Sequence, residues 1–492
     1  MLSHTPTEQR AITVTTRILI VGGGYAGFYT ARGLERILGR REAEVTLVDP
    51  LPYMTYQPFL PEVAAGSIEA RHSVVSLRKH LRRTAVITAR VTAIDHVSKS
   101  ATVTPEDGES FEIEYDELVL TAGAVSRTFP IPGVADVAIG MKTIEEAAAV
   151  RDRLIANFAR ASVMPEGPER TRLLTVTVVG GGFAGIEVFA ELRGLATSLI
   201  ELYPSIVMED IHFHLIEAMG RIMPEVSLET AKKVIAQLEA REAHIHLETQ
   251  LKSAVGGLVE LSTGESFESD LIIWTAGVMA NPMVRKTGLP LDERGRVAAN
   301  TRLQVVDGDE VVPHAWTAGD VAAVPDVSKT PGPGGFCVPN AQHAVRQGKL
   351  LPKNIVASLR GEAPQAYVHA NLGAVAGLGL GQGAFQKGKI GFTGPLAWMA
   401  HRGYHGMAIP MWERKLRVLG DWIGGMVLGR DDVQLETRET PREVFEEFAS
   451  RPKPSADADV PKAAPVADVQ PAPAEEQKVA AETSELRAES KA

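Results

Sequence analysis

The chain has 492 residues, 45% of them hydrophobic and 23% charged, with a formal net charge of -10. That length carries two or three domains with a large core, and the acidic balance argues against general nucleic-acid binding. A single cysteine, Cys337, excludes an internal disulfide, fits a reducing compartment and weighs against electron transfer through a cysteine pair.

Residues 1–14 hold no apolar stretch of the kind a secretion signal needs, and a flexible N-terminus is expected there. The run Arg17-Ile18-Leu19-Ile20-Val21 then predicts a buried parallel strand. It leads into Gly22-Gly23-Gly24-Tyr25-Ala26-Gly27 and a helical pattern, the order of a dinucleotide-binding unit. In such a loop the first glycine allows the turn, the second lets backbone approach a pyrophosphate, and the third lets helix pack on strand. The helix N-terminus offers unpaired N–H groups to the phosphates. A second strand at 45–48 closes on Asp49, a carboxylate placed for ribose hydroxyls.

The same pattern returns later. A β-branched run at 175–179 precedes Gly180-Gly181-Gly182-Phe183-Ala184-Gly185, and a strand at 212–216 closes on Glu217. A carboxylate there accepts a bond from a 2′-hydroxyl and repels a 2′-phosphate, which predicts NADH rather than NADPH. Two runs, at 115–120 and 270–274, end alike in Thr121-Ala122-Gly123 and Thr275-Ala276-Gly277, where chain is expected to return between two nucleotide domains. The strand before Gly319-Asp320 places another carboxylate for a flavin ribityl hydroxyl. Two dinucleotides on one chain make a redox enzyme the leading expectation.

Glu187 falls in the first turns of the second nucleotide-binding helix, near the expected nicotinamide end, where it binds a carboxamide, relays a proton or simply meets the helix dipole. Asn340 predicts an N-cap. The helix start at Ala341-Gln342 would aim its positive end at the flavin pyrimidine edge, where reduction deposits negative charge. Gln342 and Arg346 share a face at spacing i, i+4; Arg346 either assists an acceptor or pairs with a surface acid. His343 and Cys337 are expected to be structural, and no metal ligand set is singled out.

Between 395 and 430 lie Trp398, Trp412 and Trp422 among apolar residues, with Arg402, Arg414, Lys415 and Arg417, and His401, interleaved. That composition suits a helix lying in a membrane interface; a core-packed or dimer-forming hairpin is the competing reading. No run reaches the roughly 18 apolar residues of a spanning helix. From 451 the chain turns to Ala, Pro, Glu, Asp and Lys, too poor in apolar surface to offset its ordering entropy, and a disordered tail is expected.

With Gln57-Pro58-Phe59-Leu60-Pro61-Glu62-Val63-Ala64-Ala65-Gly66, Gly185-Ile186-Glu187 and Pro339-Asn340-Ala341-Gln342-His343-Ala344, these motifs resemble the two-dinucleotide flavoprotein superfamily. Within it the chain is similar to the type II NADH dehydrogenases, single-subunit NADH:quinone oxidoreductases, over roughly residues 15–430. The resemblance implies FAD held by Gly22, Gly24, Tyr25, Ala26, Gly27, Asp49, the Val91 backbone, Ala122, Gly123, Asp320 and Ala341. It implies NADH held by Gly180, Gly182, Phe183, Gly185, Glu217, Ala276 and Gly277. Glu187 and Gln342 fall on the family's functional carboxylate and glutamine. Arg346 stands where a second glutamine is usual, and Leu372 where lysine is frequent.

The expected fold is α/β, with two Rossmann-like domains and a membrane-facing C-terminal region. The FAD domain would comprise 15–135 and 301–365, the NADH domain 136–300, the quinone and membrane region 366–450, and the tail 451–492. The expected activity is NADH oxidation through FAD to a quinone without proton pumping, at the cytoplasmic face of the cell membrane, by a peripheral protein that is a monomer or homodimer. A soluble reductase of a small iron–sulfur protein is the alternative acceptor reading. A flavin-bound redox sensor is the alternative of another class.

Overall fold

The computed structural model describes residues 15–328, 331–369 and 372–433; the expected N-terminal segment and the tail lie outside these. The first sheet contains β1 (Thr16–Val21), β2 (Ala43–Asp49), β3 (Ala85–Thr88) and β4 (Glu117–Leu120). Between β1 and β2, which pair in parallel, runs α1 (Tyr25–Ile37), the crossover of a βαβ unit. Its inner face carries Phe28, Ala31 and Leu34, all fully buried. Each large apolar side chain so buried contributes about 1.5–3 kcal/mol.

A second sheet is formed from chain lying between two halves of the first. It contains β5 (Ala138–Gly140), β6 (Thr175–Val179), β7 (His212–Ile216), β8 (Ala243–His246) and β9 (Leu271–Trp274). Its order is β5-β9-β6-β7-β8, parallel throughout. Helix α2 (Phe183–Leu202) links β6 to β7 and buries Ile186, Phe189, Leu192 and Leu199. The continuous apolar strands follow from burial on both faces of a parallel sheet.

The chain then returns through β10 (Gln304–Asp307) and β11 (Glu310–Thr317), and the first sheet is completed in the order β10-β11-β4-β1-β2-β3. Passage out and back is made by an antiparallel pair, residues Ala124–Ser126 against Val278–Ala280, each just past a Thr-Ala-Gly exit. Helix α3 (Ala341–Leu359) lies against α1 at close range: a Cβ on Gly348 would stand 2.7 Å from Ala26 O, and one on Gly33 2.4 Å from Pro352. Small residues at these crossings let α3 bring its N-terminal half to the loop after β1.

A third unit follows: the antiparallel strands β12 (Ala374–Gly377), β13 (Gly383–Lys387) and β14 (Ile390–Thr393), then α4 (Pro395–Ala408) and α5 (Trp412–Leu428). Trp422, Val418, His401 and His405 face inward, while Leu416, Leu419, Ile423 and Val427 face out. Among the described residues no helix is long and apolar enough to cross a membrane.

Candidate active site

Two cavities lie at the C-terminal ends of the parallel strands of the two sheets. The first, of about 480 Å³, is lined by Gly22, Gly24, Tyr25, Ala26, Asp49, Val91, Ala122, Gly123 and Asp320, among others. Gly22 takes φ +101°, and a Cβ on Gly27 would stand 1.8 Å from Gly22 O, so both positions demand glycine. Thr121 closes the turn by donating from Oγ1 to Gly22 O at 2.9 Å. Asp49 Oδ2 accepts from Gly23 N at 2.5 Å and Oδ1 from Leu51 N at 2.7 Å. Burial raises Asp49 above the ordinary carboxylate range, against the pull of those two amides.

This cavity fits an FAD by three independent features. Helix α1 begins at Gly24 without a side-chain cap, leaving its first N–H groups for a pyrophosphate. A Cβ on Gly24 would meet nothing within 4 Å, so the cradle is open there. The buried Asp320 Oδ1 and Tyr25 hydroxyl have no protein partner, and burial raises Asp320.

The second cavity, of about 650 Å³, is lined by Gly180, Gly182, Glu217, Thr275, Ala276 and Gly277, with Phe129 and Pro130 opposite. Its frame repeats the first. Gly180 takes φ +112°, and a Cβ on Gly185 would stand 1.9 Å from Gly180 O. Thr275 Oγ1 donates to that carbonyl at 3.1 Å. Glu217 Oε2 accepts from Gly181 N at 2.6 Å and Oε1 from Met219 N at 2.7 Å. Helix α2 starts at Gly182, again without a side-chain cap. Gly185 lies behind the loop and Phe183 packs toward the core.

Glu187 has partners that sequence patterns did not supply. Its Oε1 accepts from Gly377 N at 3.0 Å and lies 3.2 Å from His401 Nε2, off the line of a hydrogen bond. His401 is fully enclosed. Burial opposes its charge, yet Glu187, with Glu62 and Glu191 beyond, holds its pKa above the usual imidazole value. His405, one turn on, packs 4.5 Å from His401 between ring centroids, and its Nδ1 lies 3.0 Å from the Tyr56 hydroxyl. Burial and the neighbouring His401 push His405 well down, so it is a neutral ring. Tyr56 in turn meets Tyr25 edge-on at 6.0 Å. A line of buried titratable groups therefore runs from Glu187 to the first cavity.

Around that line, Glu62 accepts from Trp422 Nε1 at 2.7 Å and faces Arg402 at 3.4 Å. Arg402 lies over the rings of Trp398 and Trp422. His401 and Arg402, counted in the sequence among interfacial cations, thus face the interior, because buried Glu62 and Glu187 require compensating charge. The signal for this was present: His401 and His405 sit at i, i+4 and so share one face of α4.

Asn340 caps α3 through Oδ1, which accepts from His343 N at 2.8 Å. The cavity reaches Ala344 of this helix, one turn after Ala341. Gln342 Nε2 donates to Gly373 O at 3.2 Å, tying α3 to the start of the third unit. Gln347, one place beyond Arg346, accepts from Gly319 N at 2.8 Å and so fixes the loop that carries Asp320. Arg346 is half-buried, with His369 Nδ1 2.9 Å from its Nη1. His343 is buried against the Tyr367 hydroxyl at 2.9 Å, and burial holds its pKa down at about 4. Cys337 is buried, and that burial pushes its thiol up to about 12, far from a reactive thiolate.

The family profile described as pyridine nucleotide-disulphide oxidoreductase matches residues 16–348, which span both cavities. A protein of Dictyostelium discoideum named "Probable NADH dehydrogenase" is 26% identical over 423 residues, covering 84% of this chain and 90% of that protein. A Mycobacterium tuberculosis protein named "Type II NADH:quinone oxidoreductase NdhA" is 28% identical over 438 residues, covering 86% and 89%. In fold, the chain is similar to the solved structure of NDH2 from Plasmodium falciparum in complex with NADH: the TM-score is 0.78 at 17% identity, over 85% of this chain and 100% of that one. The chain belongs to the pyridine nucleotide-disulphide oxidoreductase family.

Proposed function

We propose that this protein oxidises NADH with a bound FAD and delivers the electrons to a membrane quinone. The observation that carries the reading is the pair of matching cradles, each with its own amide-bound acid, on a chain with one buried cysteine. Electrons therefore have no cysteine pair to pass through, and the similar proteins named as quinone oxidoreductases supply the acceptor class.

Residues 15–135 and 281–365 form the FAD domain and 136–280 the NADH domain. The return comes earlier than the expected 300, because Ala280, Val284, Leu289 and Val297 share a core with Leu19 and Val21, and Asn281, Pro282 and Met283 line the first cavity. Bound in the first cavity, FAD supplies a carrier that takes a hydride from a nicotinamide and returns two electrons to an acceptor. Asp49 and Asp320 hold its ribose and ribityl ends; Gly22, Gly24, Tyr25, Ala26 and Gly27 form the floor, with Val91, Ala122, Gly123 and Ala341 at the rim. Gly180, Gly182, Ala276 and Gly277 do the same for NADH, with Gly185 and Phe183 shaping the loop from behind, and Glu217 selects its free 2′-hydroxyl. Glu187 keeps His401 charged, and His401 Nε2 holds the proton for release toward the reduced acceptor. Gln342 and Arg346 position the acceptor from α3.

The acceptor's hydrophobicity gives the C-terminal helices their role. Trp412, Leu416, Leu419, Ile423, Met426 and Val427 are 74, 64, 48, 50, 55 and 75% exposed, and their spacing makes one stripe along α5. Such a stripe lies in a membrane interface as a peripheral anchor, here on the cytoplasmic face where NADH is found.

The test is NADH oxidation by FAD-loaded protein with a short-chain quinone or a one-electron protein acceptor, with and without lipid vesicles. Quinone reduction that rises with vesicles is expected. Turnover with the protein acceptor alone, indifferent to lipid, would replace the quinone reading with that of a soluble reductase.

A further inference from the structure

Four of the chain's 13 histidines stand in two short patterns, His212-Phe213-His214 and His244-Ile245-His246. They occupy β7 and the edge strand β8, where His214 pairs with His244 and Ile216 with His246. The two-residue period of a strand puts all four rings on one face, while Phe213, Leu215 and Ala243 enter the core on the other. Neither cradle uses these imidazoles, and the Glu187 line is elsewhere.

His214 Nδ1 and His246 Nε2 lie 3.0 Å apart. Glu265 reaches in from the turn between the antiparallel strands Leu258–Leu261 and Ser266–Glu268, its Oε2 3.7 Å from Nδ1 of His246, the ring nitrogen that does not face His214. One ligating atom from each of the three residues lies within 4.8 Å of the others, and this is the one such group of His, Cys, Asp and Glu among the described residues. The rings are held in place: His214 stacks on Phe267 at 3.8 Å and on His244 at 4.8 Å between centroids. Its apolar surroundings explain an aromatic residue at 214 but not a nitrogen aimed at a second nitrogen beside a carboxylate.

Two imidazole nitrogens bound to Zn²⁺ at about 2.0–2.1 Å with tetrahedral angles stand about 3.4 Å apart. The His214–His246 pair, now facing nitrogen to nitrogen, needs to open by a few tenths of an ångström and to turn so that both lone pairs converge on the ion. Glu265, with its side chain 52% exposed, closes by rotation and leaves a path from solvent.

We propose that His214, His246 and Glu265 bind one divalent transition-metal ion of the Zn²⁺ class, with water completing its shell. Two imidazoles and a carboxylate favour such an ion over Ca²⁺ or Mg²⁺, which take oxygen shells. The proton now shared between Nδ1 and Nε2 leaves that position, and each neutral ring carries its N–H on its other nitrogen. The ion ties β7 to β8 next to Glu217, whose N–H donates to His246 O at 2.9 Å.

The experiment is equilibrium dialysis of the full-length FAD-loaded chain against zinc chloride, with metal counted by elemental analysis. Wild type is expected to retain one ion per chain. His246→Asn should bind about tenfold more weakly or worse, Glu265→Gln should also weaken binding, and His212→Asn should leave it unchanged. Glu265 is on the surface, so its variant tests the site even if the His246 substitution disturbs folding; the flavin spectrum reports that. Equal zinc retention in wild type and Glu265→Gln, or retention of calcium in place of zinc, would overturn the assignment.

Discussion

Glu187 Oε1 and His401 Nε2 lie 3.2 Å apart and join the second nucleotide-binding helix to the C-terminal hairpin. Both side chains are almost wholly enclosed, so each charge depends on the other. Removing one partner of a buried pair leaves the second uncompensated, at a cost of about 3–5 kcal/mol. His401→Ala is expected to lower the urea midpoint accordingly.

The same pair has a pH signature. His401 is raised in the folded state, so its contribution is complete below the unfolded imidazole value of about 6.5 and is lost as pH climbs through the folded value above it. The stability gap between wild type and His401→Ala should therefore be wider at about pH 6 than at about pH 9. A gap of constant size would mean that His401 is neutral beside Glu187.

Glu217 is expected to govern nucleotide choice. Replacing it with Gln keeps an acceptor for Gly181 N, which now lies 2.6 Å away, but removes the charge facing a 2′-phosphate. The ratio of kcat/KM for NADPH to that for NADH should rise about tenfold, equivalent to about 1.4 kcal/mol. Steady-state kinetics with both nucleotides decide it.

Matched glycine substitutions should have separable effects. An added Cβ would stand 1.8 Å from a carbonyl at Gly27 and 1.9 Å at Gly185. Gly27→Ala should purify with little flavin. Gly185→Ala should keep its yellow colour and show a raised KM for NADH. Loss of flavin from both would contradict the assignment of cradles.

Asp320 offers a sign reversal. Burial raises its pKa, so in flavin-free protein its charge is a liability at neutral pH, and Asp320→Asn should raise the Tm. In the loaded protein the same change removes an acceptor for the ribityl chain, and Tm and flavin retention should both fall. Thermal melts with and without FAD give both numbers.

Leu419→Glu with Ile423→Glu places two charges on the exposed stripe of α5, at sites 48 and 50% exposed. Vesicle flotation should weaken about tenfold or more, while turnover with a water-soluble quinone persists. Unchanged flotation would return the hairpin to a packing role between copies of the chain.

The two glycine loops and their acids were legible because each is a local device: a strand, a turn and a carboxylate closing the next strand. Glu187 was legible as a residue of interest, but His401 was not, since a composition rich in aromatics and cations reads as interface whichever way each side chain turns. Burial of Glu62 and Glu187 decides that direction, and burial is a property of the assembled core. The spacing of Gln342 and Arg346 was plain. That Gln347, not Gln342, fastens Gly319 depends on how α3 is rotated against α1, which Gly348 and Ala26 set by contact.

The paired strands Ala124–Ser126 and Val278–Ala280 carry the chain out to the second sheet and back side by side. Departure and return at a single doorway make everything between them a cassette. A relative's segment with the same two ends could be exchanged there without rethreading the first sheet. The incoming segment would have to carry the groups that meet the third unit: an acid at the place of Glu187 for His401, one at the place of Glu191 for Arg430, and a hydroxyl at the place of Thr230 for Gln386.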